Sequence, residues 1–269
     1  MMGKTIVSWS PVHGQGATTS NLAALSANFS LMYPSKNIIT HTQLAFSSLE
    51  SLFGKQEIAI GFEESGIAAL ERLARSKLLK VDAVIDYTET VYKNVLDILG
   101  GNQRNVSHDE LMSILVHVLK EAYDFVWIDA HSGSRNELTK QLLKEADIVL
   151  VNLPQNRYVL DRFFDGIDFP DVLKGKDYII LLSSYDKESS FTVRKIKRTY
   201  KIKQKIFTVP TSVQFKDAAN RKQLSEFFFR NQNVNKNSPN YPFIKDISAI
   251  NRYLAKLLGV KAKVEDDWE

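Results

Sequence analysis

The chain contains no cysteine among its 269 residues. Disulfides, zinc–thiolate sites and cysteine nucleophiles are therefore excluded, and the absence fits a reducing compartment. It also lacks an apolar run of about 20 residues that would cross a bilayer. A charged-then-apolar leader is missing too, because Met1 to Lys4 lead directly into a predicted strand. These absences predict a cytoplasmic protein without an integral membrane segment.

A strong charge imbalance is absent as well. The net charge is only +4, from 35 basic and 31 acidic residues, so composition alone does not indicate a nucleic-acid-binding protein. One segment is an exception, and we call it the basic stripe: Arg194, Lys195, Lys197, Arg198, Lys201, Lys203 and Lys205. Such a stripe contacts nucleic-acid phosphates or anionic lipid in some proteins, and in others it is a solvated helix face followed by an exposed strand edge. The sequence leaves both interpretations open.

The length and the 44% content of hydrophobic side chains are sufficient for a large core. Domains of the α/β class often exceed 200 residues, and no internal repeat is visible. We therefore predict a single domain over residues 1–260 and an acidic C-terminal tail over residues 261–269. The acidic side chains of this tail disfavour contact with an anionic membrane.

Short apolar runs bounded by turn residues recur along the chain, mostly separated by segments of helical periodicity. They are Thr5–Trp9, Asn37–Thr40, Phe125–Ile128, Ile148–Leu153, Tyr178–Leu182 and Ile206–Val209. Strands this uniformly apolar are expected where helices cover both faces of a sheet. The predicted fold class is therefore α/β, with a mainly parallel sheet covered by helices on both faces.

Three further segments have apolar patterns that predict core cover. Residues Gly66 to Lys80 form one helical stripe, with Ile67, Leu70, Leu73, Ala74 and Leu78 on its apolar side. The last predicted helix, Ile244 to Leu258, ends near Gly259 and turns inward Ile247, Ile250, Leu254, Leu257 and Leu258. The run Phe227–Phe229 predicts core cover with one exposed ring, or else an anchor for a partner.

A glycine-containing loop follows the first predicted strand and precedes a predicted helix. It reads Ser10-Pro11-Val12-His13-Gly14-Gln15-Gly16-Ala17-Thr18-Thr19-Ser20-Asn21. Glycines let the backbone curl so that amides point inward, and a helix N-terminus adds a partial positive charge. Thr18 and Thr19 offer hydroxyls to a magnesium ion or a phosphate. This order predicts a phosphate-binding loop, although a strand can also end in an ordinary glycine turn.

The loop resembles the deviant Walker A motif, KGGxGKTT, of the ParA/MinD family of P-loop ATPases. Gly14, Gly16, Thr18 and Thr19 match it. Three positions depart from it: Val12 replaces the signature lysine, His13 the first glycine and Ala17 the P-loop lysine.

The resemblance extends over about residues 4 to 258. Residues Phe125 to Gly133 resemble the Walker B segment, with Asp129 as its aspartate, and Ala146 to Val151 resemble the strand that follows. Residues Val209 to Thr211 and Gln214 to Ala218 resemble the loop that borders the adenine.

The resemblance implies a P-loop NTPase-like fold, a homodimer with its interface over the nucleotide crevice, and a site for ATP with Mg²⁺. It assigns nucleotide contacts to Gly14, Gln15, Gly16, Ala17, Thr18, Thr19, Asp129 and Pro210. Thr18 and Asp129 are the implied metal ligands.

The residues that would drive hydrolysis are missing. Both motif lysines are replaced, and the chain reads Thr40-His41-Thr42-Gln43 where the family has an aspartate that acts on the attacking water, so no carboxylate is expected there. Phosphoryl transfer is catalysed by positioning and charge stabilisation, so we predict no catalytic residue and very weak or absent hydrolysis. Weak binding of ATP and Mg²⁺, and an empty loop kept for its shape, stay open as alternatives.

Three histidines, His13, His41 and His131, follow strands whose carboxyl ends reach the crevice in the resembled fold. They are ordinary loop residues, or imidazoles that contact phosphate in place of the lost lysines, or a metal site together with Asp129.

The function that the resemblance implies is that of a degenerate ParA/MinD-like pseudo-ATPase in a bacterial cell. It would be a nucleotide-responsive or structural localisation or assembly factor, with the protein components of a pilus, secretion, conjugation or partitioning apparatus as partners. The chain is similar to the CpaE/TadZ-like subgroup in its atypical phosphate loop, but it has no receiver-like domain before the first strand. One alternative is an active ATPase that takes a lysine from elsewhere, such as Lys36 or a partner chain. The other is a non-specific DNA-binding partition module that uses the basic stripe.

Overall fold

The computed structural model describes residues 2–43, 47–55, 66–101 and 109–261. Its strands are β1 Lys4–Trp9, β2 Asn37–His41, β3 Glu89–Tyr92, β4 Leu96–Leu99, β5 Phe125–Asp129, β6 Ile148–Pro154, β7 Ile179–Tyr185 and β8 Lys205–Pro210. They form one sheet in the order β3-β4-β2-β5-β1-β6-β7-β8. Every neighbouring pair is parallel except β3 and β4. The predicted α/β class with a mainly parallel sheet is confirmed.

Helices pack on both faces of this sheet. The helices of the described residues are α1 Thr18–Met32, α2 Leu49–Leu52, α3 Gly66–Arg75, α4 Val81–Val84, α5 Asp109–Ala122, α6 Glu137–Glu145, α7 Arg157–Phe164, α8 Val193–Thr199, α9 Val213–Asn220, α10 Leu224–Arg230 and α11 Tyr241–Leu258. One buried cluster joins α1, α2, α9, α10 and α11 to one face, which we call the α1 face. A second cluster joins α3 to α8 to the opposite face, which we call the α6 face.

Alternation along the strands explains how one sequence supplies two cores. In β1, Ile6 points to the α1 face while Val7 and Trp9 point to the α6 face, because successive strand residues face opposite ways. Trp9 and Trp127 are fully buried on opposite faces. Truncating either tryptophan to alanine would lower the free energy of unfolding by roughly 3–5 kcal/mol. The packing of these two side chains therefore helps to hold β1 and β5 in the sheet.

All six predicted strands are present, and their ends differ from the prediction by a few residues at most. Strands β3 and β4 were not among the predicted strands. Each has only four residues, and β3 pairs antiparallel at the sheet edge with Glu89 and Thr90 exposed. A strand this short and this polar lacks the apolar run that identified the others.

The predicted helical stripe from Gly66 to Lys80 is too long. Helix α3 ends at Arg75, because Lys77 takes a left-handed conformation with φ 57°. The amide of Leu78 then donates to the carbonyl of Leu73, and that of Lys77 to the carbonyl of Ala74, which is a Schellman end. Leu78 is 62% exposed, so its assignment to the core was wrong.

The C-terminal helix and the phenylalanine run mostly follow the prediction. Helix α11 ends at Gly259, where φ is 73°, but Leu257 is half exposed and does not join the core. Phe227 and Phe228 are buried and Phe229 is exposed, which confirms core cover with one exposed ring. Among the described helices, none combines the length and apolar character needed to cross a membrane. The acidic residues of the predicted tail lie outside the described residues.

Candidate functional site

The glycine loop lies where the parallel strands in the middle of the sheet end together. Ser8 of β1 and His41 of β2 are both in register with Asp129 of β5, so the residues that follow these strands share one edge. In open parallel sheets this carboxyl-terminal edge is where ligands bind. The fold therefore brings the loop after β1 next to Asp129, as predicted.

Each of the two glycines of the loop is favoured at its position for a different structural reason. A Cβ at Gly16 would lie 2.4 Å from Oγ and 2.6 Å from Cβ of Ser10, so a side chain does not fit there. Gly14 has φ 70°, which glycine adopts without strain. Ala17 is also left-handed, with φ 49°, at a cost of about 1–2 kcal/mol for a non-glycine residue. The backbone of the loop therefore curls through two left-handed residues, and only Gly14 adopts that conformation without strain.

Helix α1 offers an uncapped N-terminus to this loop. It begins at Thr18, no side chain of the described residues caps it, and its first turn contains no acidic residue. The first amides of a helix have no acceptor within the helix, so those of Thr18, Thr19 and Ser20 remain available to a ligand. Together with the helix dipole they form a site that favours an anion.

Asp129 lies beside this helix end and is 0% exposed. Its Oδ2 accepts a hydrogen bond from Thr19 Oγ1 at 2.6 Å, whereas its Oδ1 is buried without a partner among the described residues. Burial raises the pKa of Asp129 to about 6, against the opposing effect of the Thr19 hydrogen bond. An orphaned carboxylate oxygen at this position fits a divalent cation, which prefers such ligands.

The structure does not bring the Thr18 hydroxyl to Asp129, although the resemblance implies these two as metal ligands. Thr18 is buried, and its hydroxyl bonds to no described residue, while its neighbour Thr19 reaches the carboxylate. Both threonines nevertheless sit on the first turn of α1, next to the free amides.

A buried carboxylate that sequence reasoning missed lies after β2. Glu50 of α2 accepts a hydrogen bond from the amide of Gly101 at 2.9 Å, and its Oε1 is 3.1 Å from His41 Nε2. The amide of Gln43 donates to His41 Nδ1, so the ring proton sits on Nε2 and is donated to Glu50. Burial works to raise the pKa of Glu50, but the bonds from His41 and Gly101 outweigh it and leave the pKa lowered. The segment Thr40 to Gln43 itself has no carboxylate, as expected, and Glu50 reaches His41 from α2.

The structure brings two of the three histidines together and leaves the third apart. The rings of His13 and His131 meet edge to face, 4.8 Å between centroids, whereas His41 is completely buried against Glu50. Burial, with a smaller contribution from His13, lowers the pKa of His131. Within the described residues, no three His, Asp or Glu side chains are grouped so as to hold a metal ion. A metal site built from all three histidines is therefore not formed in this part of the chain.

Lys36 cannot replace the missing lysines within one chain. It precedes β2 at the amino-terminal edge of the sheet, where its amide donates to Asp124 Oδ2 and its Nζ lies 5.0 Å from the Tyr123 ring centroid. The five residues of β2 separate it from the loop edge by about 16 Å. That part of the active-ATPase alternative was wrong.

Pro210 ends β8, at the same edge as the loop. Three strand spacings separate β8 from β1, or about 14 Å. Pro210 is thus placed to border a ligand whose phosphates lie at α1, but it does not contact the loop.

A buried polar network beneath α1 was also missed. Asn21 Nδ2 donates to Asn152 Oδ1 at 2.9 Å and to Ser183 Oγ at 2.8 Å, and Asn152 Nδ2 donates to Ser8 Oγ at 2.8 Å. These bonds tie the helix to β1, β6 and β7. Single polar residues within otherwise apolar strands are the signal that would have indicated it, because buried polar groups need partners.

Comparison with known proteins identifies the fold. No family model and no curated protein matches the chain. Among solved structures, a ParA family ATPase from Chlorobium tepidum has TM-score 0.72 and 14% identity, over 94% of this chain and 99% of that chain. A plasmid partition protein from Borrelia burgdorferi bound to AMPPNP has TM-score 0.64 and 16% identity, over 94% and 99%. The septum site-determining protein MinD from Pyrococcus horikoshii, complexed with Mg-ADP, has TM-score 0.65 and 15% identity, over 95% and 99%. The chain therefore has the P-loop NTPase fold of ParA/MinD ATPases.

Proposed function

We propose that this chain is a degenerate ParA/MinD-like protein that binds ATP with Mg²⁺ weakly and hydrolyses it very slowly or not at all. One observation carries the proposal: among the described residues, an uncapped helix N-terminus lies beside a buried carboxylate oxygen that has no partner, in a loop that has no ammonium group. In this role the protein is a nucleotide-responsive localisation or assembly factor in the bacterial cytoplasm.

The residues present fit a nucleotide with its metal. The amides of Thr18, Thr19 and Ser20 have no acceptor within α1 and would bind phosphate oxygens, and Asp129 with a threonine hydroxyl would hold Mg²⁺. Pro210 would border the base at the far end. The partition protein and the MinD named above hold AMPPNP and Mg-ADP in the same fold, which supports the same ligand class here.

The absent cations explain why cleavage is not expected. Val12 and Ala17 stand where the family has lysines, and both are too apolar to stabilise charge on transferred phosphoryl oxygens. One cation supplied to such a reaction accelerates it by about 10³–10⁵. The residues that remain position an anion but do not offset the charge that develops during transfer.

Restoring the lysine tests this reasoning. Ala17→Lys is expected to tighten ATP binding at least about tenfold, because the ammonium group would reach phosphates already held by the amides. Thr199→Lys, which adds the same charge on the exposed surface of α8, serves as the control and should leave ATP affinity unchanged. Equal affinities for wild type and Ala17→Lys would show that no phosphate occupies the loop.

The remaining parts of the proposal concern assembly. Residues 1–260 form one domain, the protein dimerises over the crevice as the resemblance implies, and it belongs with the CpaE/TadZ-like proteins that serve a larger apparatus. Light scattering after size exclusion, with and without ATP and Mg²⁺, tests the dimer. A monomer under both conditions at high protein concentration would exclude it.

A second candidate function rests on the basic stripe. All seven of its side chains are exposed, and none forms an ion pair with a described residue. No acidic residue occurs between Glu188 and Asp217. This surface supports a non-specific DNA-binding partition module, whose retention on random duplex should fall steeply with salt. Neutralising Lys195, Lys197, Arg198 and Lys201 together should abolish that retention, and unchanged retention would exclude the stripe as its cause.

A further inference from the structure

A shallow cleft of about 520 Å³ opens on the α6 face of the sheet edge. It lies between the first half of the glycine loop and the segment that joins β5 to α6. Its polar lining includes His13, His131, Ser132, Ser134, Arg135 and Asn136. The cleft is therefore on the opposite side of the glycine loop from the N-terminus of α1.

The cleft is lined by donors that the chain itself leaves free. The side chains of His13, Ser132, Ser134 and Arg135 make no hydrogen bond or ion pair with any described residue. Arg135 is exposed. Several unused donors around one opening are what a bound acceptor group requires.

The electrostatic balance of the cleft is positive. The acidic side chain of its lining, Asp168, accepts from Arg162 Nε at 2.6 Å and from Arg162 Nη2 at 2.8 Å, so its charge is already offset. Helix α6 also starts here. Its cap Asn136 accepts from the amide of Thr139, which leaves the amides of Glu137 and Leu138 without an acceptor in the described part of the chain and adds a partial positive charge.

We propose that this cleft binds a phosphate-class oxyanion, at a site separate from the nucleotide cradle. A guanidinium, imidazole rings and hydroxyls on several sides match the acceptor oxygens of a tetrahedral anion. The volume leaves room for an organic group attached to the phosphate. The proposal does not rest on ATP binding, because Arg135, Ser132 and Ser134 belong to the α6 face and the cradle belongs to the α1 face.

Amide chemical shifts measured during titration with inorganic phosphate, at constant ionic strength, test the proposal. Saturable shifts are expected for Ser132 to Arg135. Arg135→Gln should weaken the affinity about tenfold, the amount typical of one charge-assisted contact. Lys140→Gln is the matched control, because Lys140 carries the same charge on α6 but pairs with Glu137 at 2.7 Å outside the cleft. It should leave the affinity unchanged.

A second titration with O-phosphoserine distinguishes the source of the phosphate. Equal affinity for both probes supports a free phosphate, and tighter binding of O-phosphoserine, with shifts that extend to Asp168, supports an organic phosphate. The proposal is overturned if no saturable shift appears by about 50 mM phosphate. It is also overturned if the shifts are confined to Gly16 to Ser20, or if they persist unchanged in Arg135→Gln. Failure of ATP to bind would leave these outcomes unaffected.

Discussion

At the scale of single residues, Gly16 and Ser10 show how closely the loop is built against the sheet. Because a Cβ at Gly16 would lie within 2.6 Å of the Ser10 side chain, Gly16→Ala should lower the free energy of unfolding by about 1–3 kcal/mol. Chemical denaturation measures this directly. The double variant Gly16→Ala with Ser10→Gly should recover part of the loss, since the clashing atoms are gone. A Gly16→Ala protein as stable as wild type would show that the loop is not packed this way.

The raised pKa of Asp129 predicts how the free energy of unfolding depends on pH. Its carboxyl releases a proton near pH 3.8 in the unfolded chain but near pH 6 in the native protein, so the native state binds the extra proton between these values. Its contribution to stability therefore falls as pH rises through this window, by roughly 3 kcal/mol in total. Without metal or nucleotide, Asp129→Asn should be more stable than wild type at pH 8 by about 1–3 kcal/mol, and the difference should vanish below about pH 4.

Asp147 is the control for this trend, because the pKa of its carboxyl is lowered. Burial opposes the shift, but hydrogen bonds from Thr5 and the charge of Lys120 prevail. A lowered pKa means stability that is present above the unfolded pKa and is lost as pH falls. Asp147→Asn should therefore destabilise at pH 8, the reverse of Asp129→Asn. Two variants with the same sign at pH 8 would contradict this assignment.

The sequence predicted some of these residues and missed others for a physical reason. Gly14, Gly16 and Asp129 were identified because each sits at the end of a predicted strand in a known spacing. Glu50 was missed because it lies nine residues beyond His41, and only the packing of α2 brings the two side chains together. Contacts of that kind depend on tertiary structure and leave no local pattern.

At the scale of elements, the His41–Glu50 pair links α2, β2 and the segment that follows β4 by hydrogen bonds. Glu50 belongs to α2, His41 ends β2, and Gly101, which donates to Glu50, follows β4. Glu50→Ala would leave buried donors unpaired and should cost about 3–5 kcal/mol, as for other broken buried pairs. Glu121→Ala is the matched control, since its bond to His117 is exposed and should be worth less than about 0.5 kcal/mol. Similar losses in the two variants, measured by denaturation, would contradict the proposed role of the pair.

Element boundaries show where local pattern is sufficient and where it is not. The six longer strands were predicted from their apolar runs, whereas β4, which is also buried on both faces, was missed because it has only four residues. β3 was missed because it is short, polar and paired on one side only. The early end of α3 depends on Lys77 in a left-handed conformation, which its residue type does not indicate. Prediction therefore failed at strands of only four residues and at a helix end that a left-handed residue decides.

At the scale of the whole molecule, the parallel strands place the candidate ligand-binding residues at the carboxyl-terminal edge of the sheet. None of these candidate residues lies at the amino-terminal edge. The glycine loop, Asp129 and Pro210 all lie at the carboxyl-terminal edge, although they are distant in sequence. Lys36 lies at the opposite edge, which the sequence analysis did not resolve because strand direction follows only from the assembled sheet. The class of fold was predictable from alternation of strands and helices. The sequence did not predict that the glycine loop has two sides, one toward α1 and one toward α6.

The central claim is that the loop still binds nucleotide although it hydrolyses it very slowly or not at all. Calorimetric titration of the full chain with ATP and Mg²⁺, followed by assay of released phosphate in the same sample, tests both halves together. We predict saturable binding in the micromolar to millimolar range, equivalent to about 4–8 kcal/mol, which Asp129→Ala weakens, and no phosphate above background. No heat of binding at millimolar nucleotide, or phosphate release that depends on Asp129, would contradict the account.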